Sequence, residues 1–161
     1  MNRVLIPILL VLMFGSLVSW AGPLEDGVAA HQRGEYPVAL GLFQSLAAQG
    51  NVAAQYNLGQ MHRLGQGIPK DLVDAARWYY LAAAQGDGQS QYNLGVMHYN
   101  GQGVVQNFVT SYMWLTLAAM AGVENAARNR AVLAKQMTPE QIKEALERSR
   151  TCEKRNFQSC G

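Results

Sequence analysis

The sequence has only two cysteines, few charged residues and a small net charge. The two cysteines, Cys152 and Cys160, lie near the C-terminus, far from the apolar N-terminal segment, so a lipid-anchored lipoprotein is not expected. Charged residues make up 15% of the chain and the net charge is +2, which gives no strong attraction to nucleic acid. Hydrophobic residues reach 49%. This composition excludes a disordered tail and predicts one domain with a sizeable core.

The N-terminal segment has the order of features typical of a secretory signal peptide. Arg3 precedes a charge-free run over residues 4–20, and Ser19-Trp20-Ala21 puts small residues at the −3 and −1 positions before Gly22. The alternative is a membrane anchor, but a helix of that length spans roughly 25 Å, short of the ~30 Å hydrocarbon core. We predict a signal peptide over 1–21, a periplasmic or secreted protein, and no stable membrane span after cleavage.

Export would place the two cysteines in an oxidising compartment. An isolated pair so close in sequence is expected to form a disulfide, Cys152–Cys160, which would fold the tail back. Two alternatives remain open, a pair of inert thiols and a redox pair. Redox motifs usually have two intervening residues, whereas seven separate these cysteines.

An internal repeat with an offset of 36 residues is the strongest signal in the chain. Gln55-Tyr56-Asn57-Leu58-Gly59 recurs as Gln91-Tyr92-Asn93-Leu94-Gly95. The same offset relates Met61-His62 to Met97-His98, Gly65-Gln66-Gly67 to Gly101-Gln102-Gly103, and Trp78 to Trp114. Repeats of this length are typical of stacked helical solenoids.

Each period is predicted to contain two helices joined by a glycine-rich loop. We expect first helices over about 52–64 and 88–100, and second helices over about 71–85 and 107–121. Closely spaced glycines permit the left-handed backbone that ends a helix. The second helices carry large apolar residues that we expect in the core: Trp78, Leu81, Trp114, Leu115 and Leu117. A ligand-stacking role for the tryptophans is the alternative.

Less regular segments flank the two clear periods. Gly27 aligns with Gly59 at an offset of 32, which indicates a divergent first unit with a shorter loop. Thr138 and Gln141 flank Pro139 in a pattern that predicts a capped final helix. The expected organisation is a solenoid over 22–137 (units at about 24–51, 52–87 and 88–123, then a partial unit), followed by a capping helix and tail over 138–161.

The repeated residues resemble the Sel-1-like repeat family, which is related to tetratricopeptide repeats. The resemblance covers about residues 24–126 and rests on two sets of positions: Leu58-Gly59, Gly65-Gln66-Gly67, Asp71, Ala75, Trp78-Tyr79, Ala82-Ala83 and Gly86, and then Leu94-Gly95, Gly101-Gln102-Gly103, Trp114, Ala118 and Gly122. His62 and His98 stand where the family usually has an aromatic. Asn107 and Ser111 replace its usual acidic residue and alanine.

The resemblance implies an all-α fold, a right-handed α/α superhelix of paired antiparallel helices with a C-terminal capping helix and a concave face. Members mostly act as adaptors that hold protein or peptide partners, although fold alone does not establish function. A cysteine-rich subgroup has cysteine pairs inside its repeats and β-lactamase-like members. This chain lacks those cysteines, so that activity does not carry over.

No group of residues predicts catalysis. His62 and His98 occupy equivalent positions on neighbouring helices, roughly 8–10 Å apart, too far to share one zinc ion. No serine lies in a Gly-x-Ser-x-Gly motif, and the Gly-Gln-Gly loops lack the Lys-Ser/Thr of a phosphate loop. Asp71 and Asp74 are more simply helix-start residues. We therefore predict a non-enzymatic binding protein without cofactor or metal. The alternatives are an envelope hydrolase (β-lactamase-like or peptidoglycan-active) and a structural or stress-related repeat protein with no fixed partner.

The first helices of the two central units are the predicted binding surface, because first helices line the concave face in tetratricopeptide-like stacks. Their polar and aromatic side chains suit an extended peptide. The predicted partner-binding residues are Tyr56, Asn57, Gln60, Arg63, Gln89, Tyr92, Asn93 and Tyr99. A second candidate is the basic C-terminal segment, where residues 126–161 hold eight basic and four acidic residues. Such a segment is more often a solvated helix face, and its interleaved acids argue against nucleic acid.

Overall fold

The computed structural model describes residues 22–157 and residue 160, and this part of the chain holds eight α-helices and no strand. The predicted signal peptide lies outside the described residues. The helices are α1 (Pro23–Gln32), α2 (Tyr36–Ala48), α3 (Val52–Leu64), α4 (Leu72–Ala83), α5 (Gly88–Asn100), α6 (Phe108–Met120), α7 (Glu124–Ala134) and α8 (Pro139–Lys154). Helices α1 and α2, α3 and α4, and α5 and α6 form three successive pairs, both α7 and α8 pack against α6, and the stack is a right-handed α/α superhelix. No helix in the described ranges is long and apolar enough to cross a membrane.

The helix ends follow from local chemistry. Asp71 caps α4 by accepting the N–H groups of Val73 and Asp74, and Asn107 caps α6 in the same way with one bond. The exchange of an acidic residue for asparagine therefore keeps the cap, because both side chains offer an oxygen acceptor. Gly65 and Gly101 end α3 and α5 with φ of 73° and 66°, in the left-handed region where glycine is favoured.

A glycine lets the two helices of each unit approach closely. A Cβ placed on Gly59 would lie 2.6 Å from Tyr79 Cε1, and one on Gly95 would lie 2.8 Å from Leu115 Cγ. In the first unit a large ring fills the same position, with Phe43 Cε1 2.7 Å from a Cβ on the α1 glycine at position 27. The three units thus share one helix–helix contact despite the shorter first loop.

Each glycine-rich loop lies against the preceding unit. A Cβ on Gly67 would meet the Cβ of Tyr36 at 2.7 Å, at the start of α2. In the next unit Gly103 lies in the same relation to the backbone of Leu72, at the start of α4. Only glycine leaves room for these contacts, and both glycines have positive φ. The loops therefore fix how one unit sits on the next.

Two buried glutamines join successive units by a repeated hydrogen bond. Gln55 Nε2 and Gln91 Nε2 each donate to the backbone carbonyl eight residues earlier, at 3.3 Å in both cases. Gln85 Nε2 completes the first junction by donating to Gln55 Oε1 at 2.8 Å. At the second junction the position equivalent to Gln85 is Ala121, and Gln91 Oε1 has no partner among the described residues.

The core predictions from the second helices are mostly confirmed. Trp114, Leu115 and Leu117 are 1–2% exposed. Trp78 is half-buried, and the prediction for Leu81 is wrong, because its side chain is 45% exposed. Leu81 and Leu117 are equivalent positions, but only α6 is covered by α8 and the C-terminal tail.

The C-terminal segment closes the end of the stack. Thr138 and Gln141 form the predicted capping box of α8. This helix packs against α6, and the predicted disulfide between Cys152 and Cys160 is present. Both cysteines are buried in the core cluster that includes Trp114 and Leu117.

Candidate partner-binding face

The first helices of the two central units, α3 and α5, carry the predicted binding residues in equivalent pairs. We name the surface formed by Tyr56, Gln60, Arg63, Tyr92, Val96 and Tyr99 the first-helix face. An offset of 36 relates the first three residues to the last three, one by one. All six are half-buried, so each keeps part of its side chain accessible to a partner.

On α3 the structure brings three predicted residues together in one hydrogen-bonded network. Gln60 Nε2 donates to Tyr56 Oη at 3.1 Å. Gln60 Oε1 accepts from Arg63 Nε at 3.0 Å and Nη2 at 2.9 Å. It also accepts from Tyr79 Oη at 2.6 Å, and that hydroxyl in turn accepts from Arg63 Nε at 3.2 Å. The network holds the guanidinium of Arg63 in one orientation.

Tyr79 is the member of this network that sequence reasoning did not assign to the site. Its ring is fully buried against Gly59, and only its hydroxyl reaches the first-helix face. Burial raises the pKa of Tyr79 to about 12, so the phenol stays neutral and keeps its proton for Gln60. The signal that would have found it is its place beside Trp78 on α4, together with a glycine at the facing position on α3.

Arg63 forms no ion pair with any carboxylate of the described residues. The ion pairs in this part of the chain are Arg33–Glu35, Arg77–Asp74 and Arg148–Glu144. The acceptors that hold Arg63, an amide oxygen and a phenol oxygen, are both neutral. A guanidinium has five N–H donors, so Arg63 keeps a full charge and unused donors.

On α5 the equivalent positions line a cavity with both polar and apolar walls instead of a hydrogen-bonded network. Val96, Tyr99 and Leu115 stand where Gln60, Arg63 and Tyr79 stand one unit earlier. With Val132 and two asparagines they line a partly open cavity of about 240 Å³ between α5, α6 and α7. Neighbouring units therefore present different chemistry at equivalent places.

Helix α7 fixes the two tyrosines of α5. Asn129 Nδ2 donates to Tyr92 Oη at 3.0 Å, and Gln136 Nε2, just after α7, donates to Tyr99 Oη at 2.9 Å. The ring of Tyr99 also stacks on Phe108, with 5.6 Å between centroids. The cavity wall is thus held by hydrogen bonds and by aromatic packing.

The remaining predicted residues are not part of either group. Gln89 is exposed near the start of α5. Asn57 Nδ2 donates to Ala53 O within its own helix at 2.8 Å. Asn93 Nδ2 is buried and has no partner among the described residues. Both asparagines are half-buried, as the six residues of the first-helix face are, and their part in binding stays a prediction.

The two equivalent histidines differ: His98 contacts a loop, whereas His62 has a buried Nδ1 without a hydrogen-bond partner among the described residues. His98 Nδ1 lies 3.2 Å from Val105 O, which holds the loop after α5. Burial lowers the pKa of His98, so the imidazole is neutral at physiological pH. No group of three or more His, Cys, Asp or Glu side chains within 22–157 is placed to hold a metal ion.

Comparison with known protein families identifies the repeats. The Sel1 repeat family matches residues 52–87 and 88–123. The chain thus contains two Sel1 repeats. Among curated proteins no significant match is found for it.

Solved structures similar to the Sel1-repeat protein are themselves repeat proteins. One is a protective antigen present in uropathogenic Escherichia coli strains that displays an SLR fold, with a TM-score of 0.79, 29% identity, 86% of this chain covered and 30% of that chain. Another is a Sel1 repeat protein from Oxalobacter formigenes, with a TM-score of 0.67, 28% identity, 77% of this chain covered and 54% of that chain. The Sel1-repeat protein thus spans about a third to a half of the length of these relatives.

The basic C-terminal segment has the features of a solvated helix face. Arg148 pairs with Glu144 one turn away on the exposed side of α8. Arg130 lies over the ring of Tyr112, 5.9 Å from its centroid. These two of the eight basic side chains have partners within the chain.

Proposed function

We propose that this Sel1-repeat protein is a non-enzymatic adaptor of the bacterial cell envelope that holds a protein or peptide partner on its first-helix face. One observation carries the proposal. The face combines a hydrogen-bonded guanidinium that has no carboxylate partner among the described residues with a cavity that has an apolar side. Sel1 repeats are in general associated with protein–protein interaction, which agrees with this use of the surface.

The envelope location is supported by two features of different kinds. The disulfide Cys152–Cys160 requires an oxidising compartment to persist. The N-terminal residues have the pattern of a signal peptide over 1–21. We also propose that the mature chain consists of a solenoid over 22–137 and a capping segment over 138–161.

Envelope hydrolysis is the second candidate, and the geometry favours it less. A hydrolase needs a nucleophile or an activated water beside a general base. On the first-helix face the titratable groups with raised pKa are Tyr56 and Tyr79, and burial is the main cause for both. A phenol with a pKa of about 12 is a poor general base at neutral pH.

Site-specific photocrosslinking tests the binding proposal. A photoreactive amino acid replaces Gln89, an exposed residue of α5 near the first-helix face, or Gln44, an exposed residue of α2, as the matched control. We expect a discrete crosslinked species in envelope fractions from position 89 and none from position 44. Crosslinking that is equal at both positions, or absent from position 89, would reject the face as a binding surface.

Mass measurement of the purified chain tests export. We expect the mature protein to begin at Gly22 and to gain two hydrogen atoms after reduction of its disulfide. A chain that retains residues 1–21 would instead support the membrane-anchor alternative.

A further inference from the structure

We infer that the first-helix face selects an extended peptide segment with an acidic side chain and an apolar side chain about three residues apart, the carboxylate at Arg63 and the apolar group in the cavity beside Tyr99. The inference rests on the proposed function and adds a partner chemistry to it. Its occupant is a segment of a partner protein, not a free small molecule.

The carboxylate preference follows from the unneutralised charge of Arg63. Its bonds to Gln60 and Tyr79 orient the guanidinium without cancelling its charge. Asp87 acts on Tyr56 electrostatically, but its carboxylate accepts the Ser90 N–H at 2.7 Å and forms no ion pair with Arg63. A carboxylate from a partner is the acceptor whose planar geometry matches a guanidinium in a bidentate pair.

The apolar preference follows from the cavity in the next unit. The partly open cavity of about 240 Å³ has an apolar side formed by Val96, Leu115 and Val132, and two asparagines form its polar side. A closed apolar cavity of ~150 Å³ already holds a benzene ring. The partly open cavity therefore accommodates one branched aliphatic or aromatic side chain. Asn129, which lines the cavity, donates from Nδ2 to Tyr92 Oη. Its Oδ1 can accept a hydrogen bond from a peptide N–H.

The spacing follows from the repeat itself. Arg63 and Tyr99 are equivalent positions, so they lie on neighbouring first helices. Helices α3 and α5 both pack against α4, and we take the interaxial distance of packed helices, on the order of 10 Å, as the step from one first helix to the next. An extended chain advances about 3.3 Å per residue, so two side chains that reach the two places are about three residues apart.

The test is selection from a displayed library of random short peptides by the full mature chain with its disulfide intact. We expect the selected peptides to share Asp or Glu about three residues from Phe, Leu, Ile or Trp. A selected pool without an acidic residue, or with no fixed spacing, would overturn the inference, and so would a library that yields no binder.

Variants then assign each half of the preference, with selected peptides labelled and titrated by fluorescence anisotropy. When the acidic residue of the peptide is replaced by its amide, we expect the affinity for the wild-type protein to fall about tenfold. We expect the affinity for the Arg63→Gln variant not to change. Val96→Phe fills the cavity and is expected to abolish discrimination for the apolar residue while keeping that for the acid. The matched control is Arg77→Gln, which removes a guanidinium paired with Asp74 on α4.

The outcomes separate this inference from the proposed function. If crosslinking from position 89 succeeds but Arg63→Gln discriminates the acid as the wild type does, the inference fails and the adaptor role stands. If position 89 gives no crosslink, the adaptor role itself fails. Circular dichroism of each variant shows that a lost preference does not come from lost folding.

Discussion

Replacing Gly59 with alanine tests the close contact between α3 and α4. The new Cβ would lie 2.6 Å from Cε1 and 2.7 Å from Cδ1 of Tyr79. That ring is 0% exposed, and its hydroxyl is bonded to Gln60 and Arg63. The ring therefore cannot move away without breaking the network or separating α3 from α4.

Two effects of opposite sign decide the magnitude. Alanine is favoured over glycine in a helix interior by about 1 kcal/mol. An extra methyl group forced into a packed core costs about 1–3 kcal/mol, and weakening the hydroxyl bonds of Tyr79 adds about 1 kcal/mol for each bond. We expect the free energy of unfolding of Gly59→Ala to fall by about 2–4 kcal/mol.

The matched control is Gly41→Ala in α2. Gly41 also lies in a helix, but its added Cβ would meet no atom within 4 Å. Only the helix propensity acts there, so we expect stability to rise by up to about 1 kcal/mol. Urea denaturation followed by circular dichroism measures both variants. Equal shifts of the same sign would refute the close-contact argument.

Three further predictions concern other parts of the fold. Replacing Cys152 and Cys160 together with serine is expected to lower the free energy of unfolding by about 2.5 kcal/mol, the loop-closure value for so short a loop, and an unchanged thermal midpoint without reductant would contradict it. Ala121→Gln is expected to donate to the unpaired oxygen of Gln91 and raise stability by about 1 kcal/mol; a loss in denaturant titration would show that the junction does not accept the longer side chain. Because burial lowers the folded pKa of His98, its contribution to stability is complete above the unfolded value of about 6.5 and decreases as pH falls below it. His98→Gln should reduce that acid-side decrease in pH-dependent melting, and an identical profile would exclude His98 as its source.

Periodicity made the fold predictable. The ends of α3 and α5 agree with the predicted 52–64 and 88–100, because glycine caps and polar N-caps act locally. The same reasoning was wrong for Leu81, which is exposed. Its equivalent, Leu117, is buried only because the C-terminal segment covers α6, and a repeat pattern contains no information about what lies at its end.

The sequence predicted where the candidate site lies. It did not predict that α3 carries a hydrogen-bonded network and that α5 lines a cavity. Tyr56, Gln60 and Arg63 are one helical turn apart, so their shared face follows from helix geometry. The contribution of Tyr79 depends on a contact between two helices. The cavity near Tyr99 depends on α6 and α7 closing around it, which no local pattern encodes. Whether these residues bind a partner stays a prediction.

The seating of Gly67 and Gly103 against the preceding unit has a consequence for how the molecule unfolds. Each unit receives the loop of its successor, so a break between units removes contacts from both sides at once. In a linear array, stability is a sum of unit terms and nearest-neighbour terms. Large neighbour terms make the array melt as one body instead of fraying from an end. A chain lengthened by a copy of residues 52–87 would then gain cooperativity along with length.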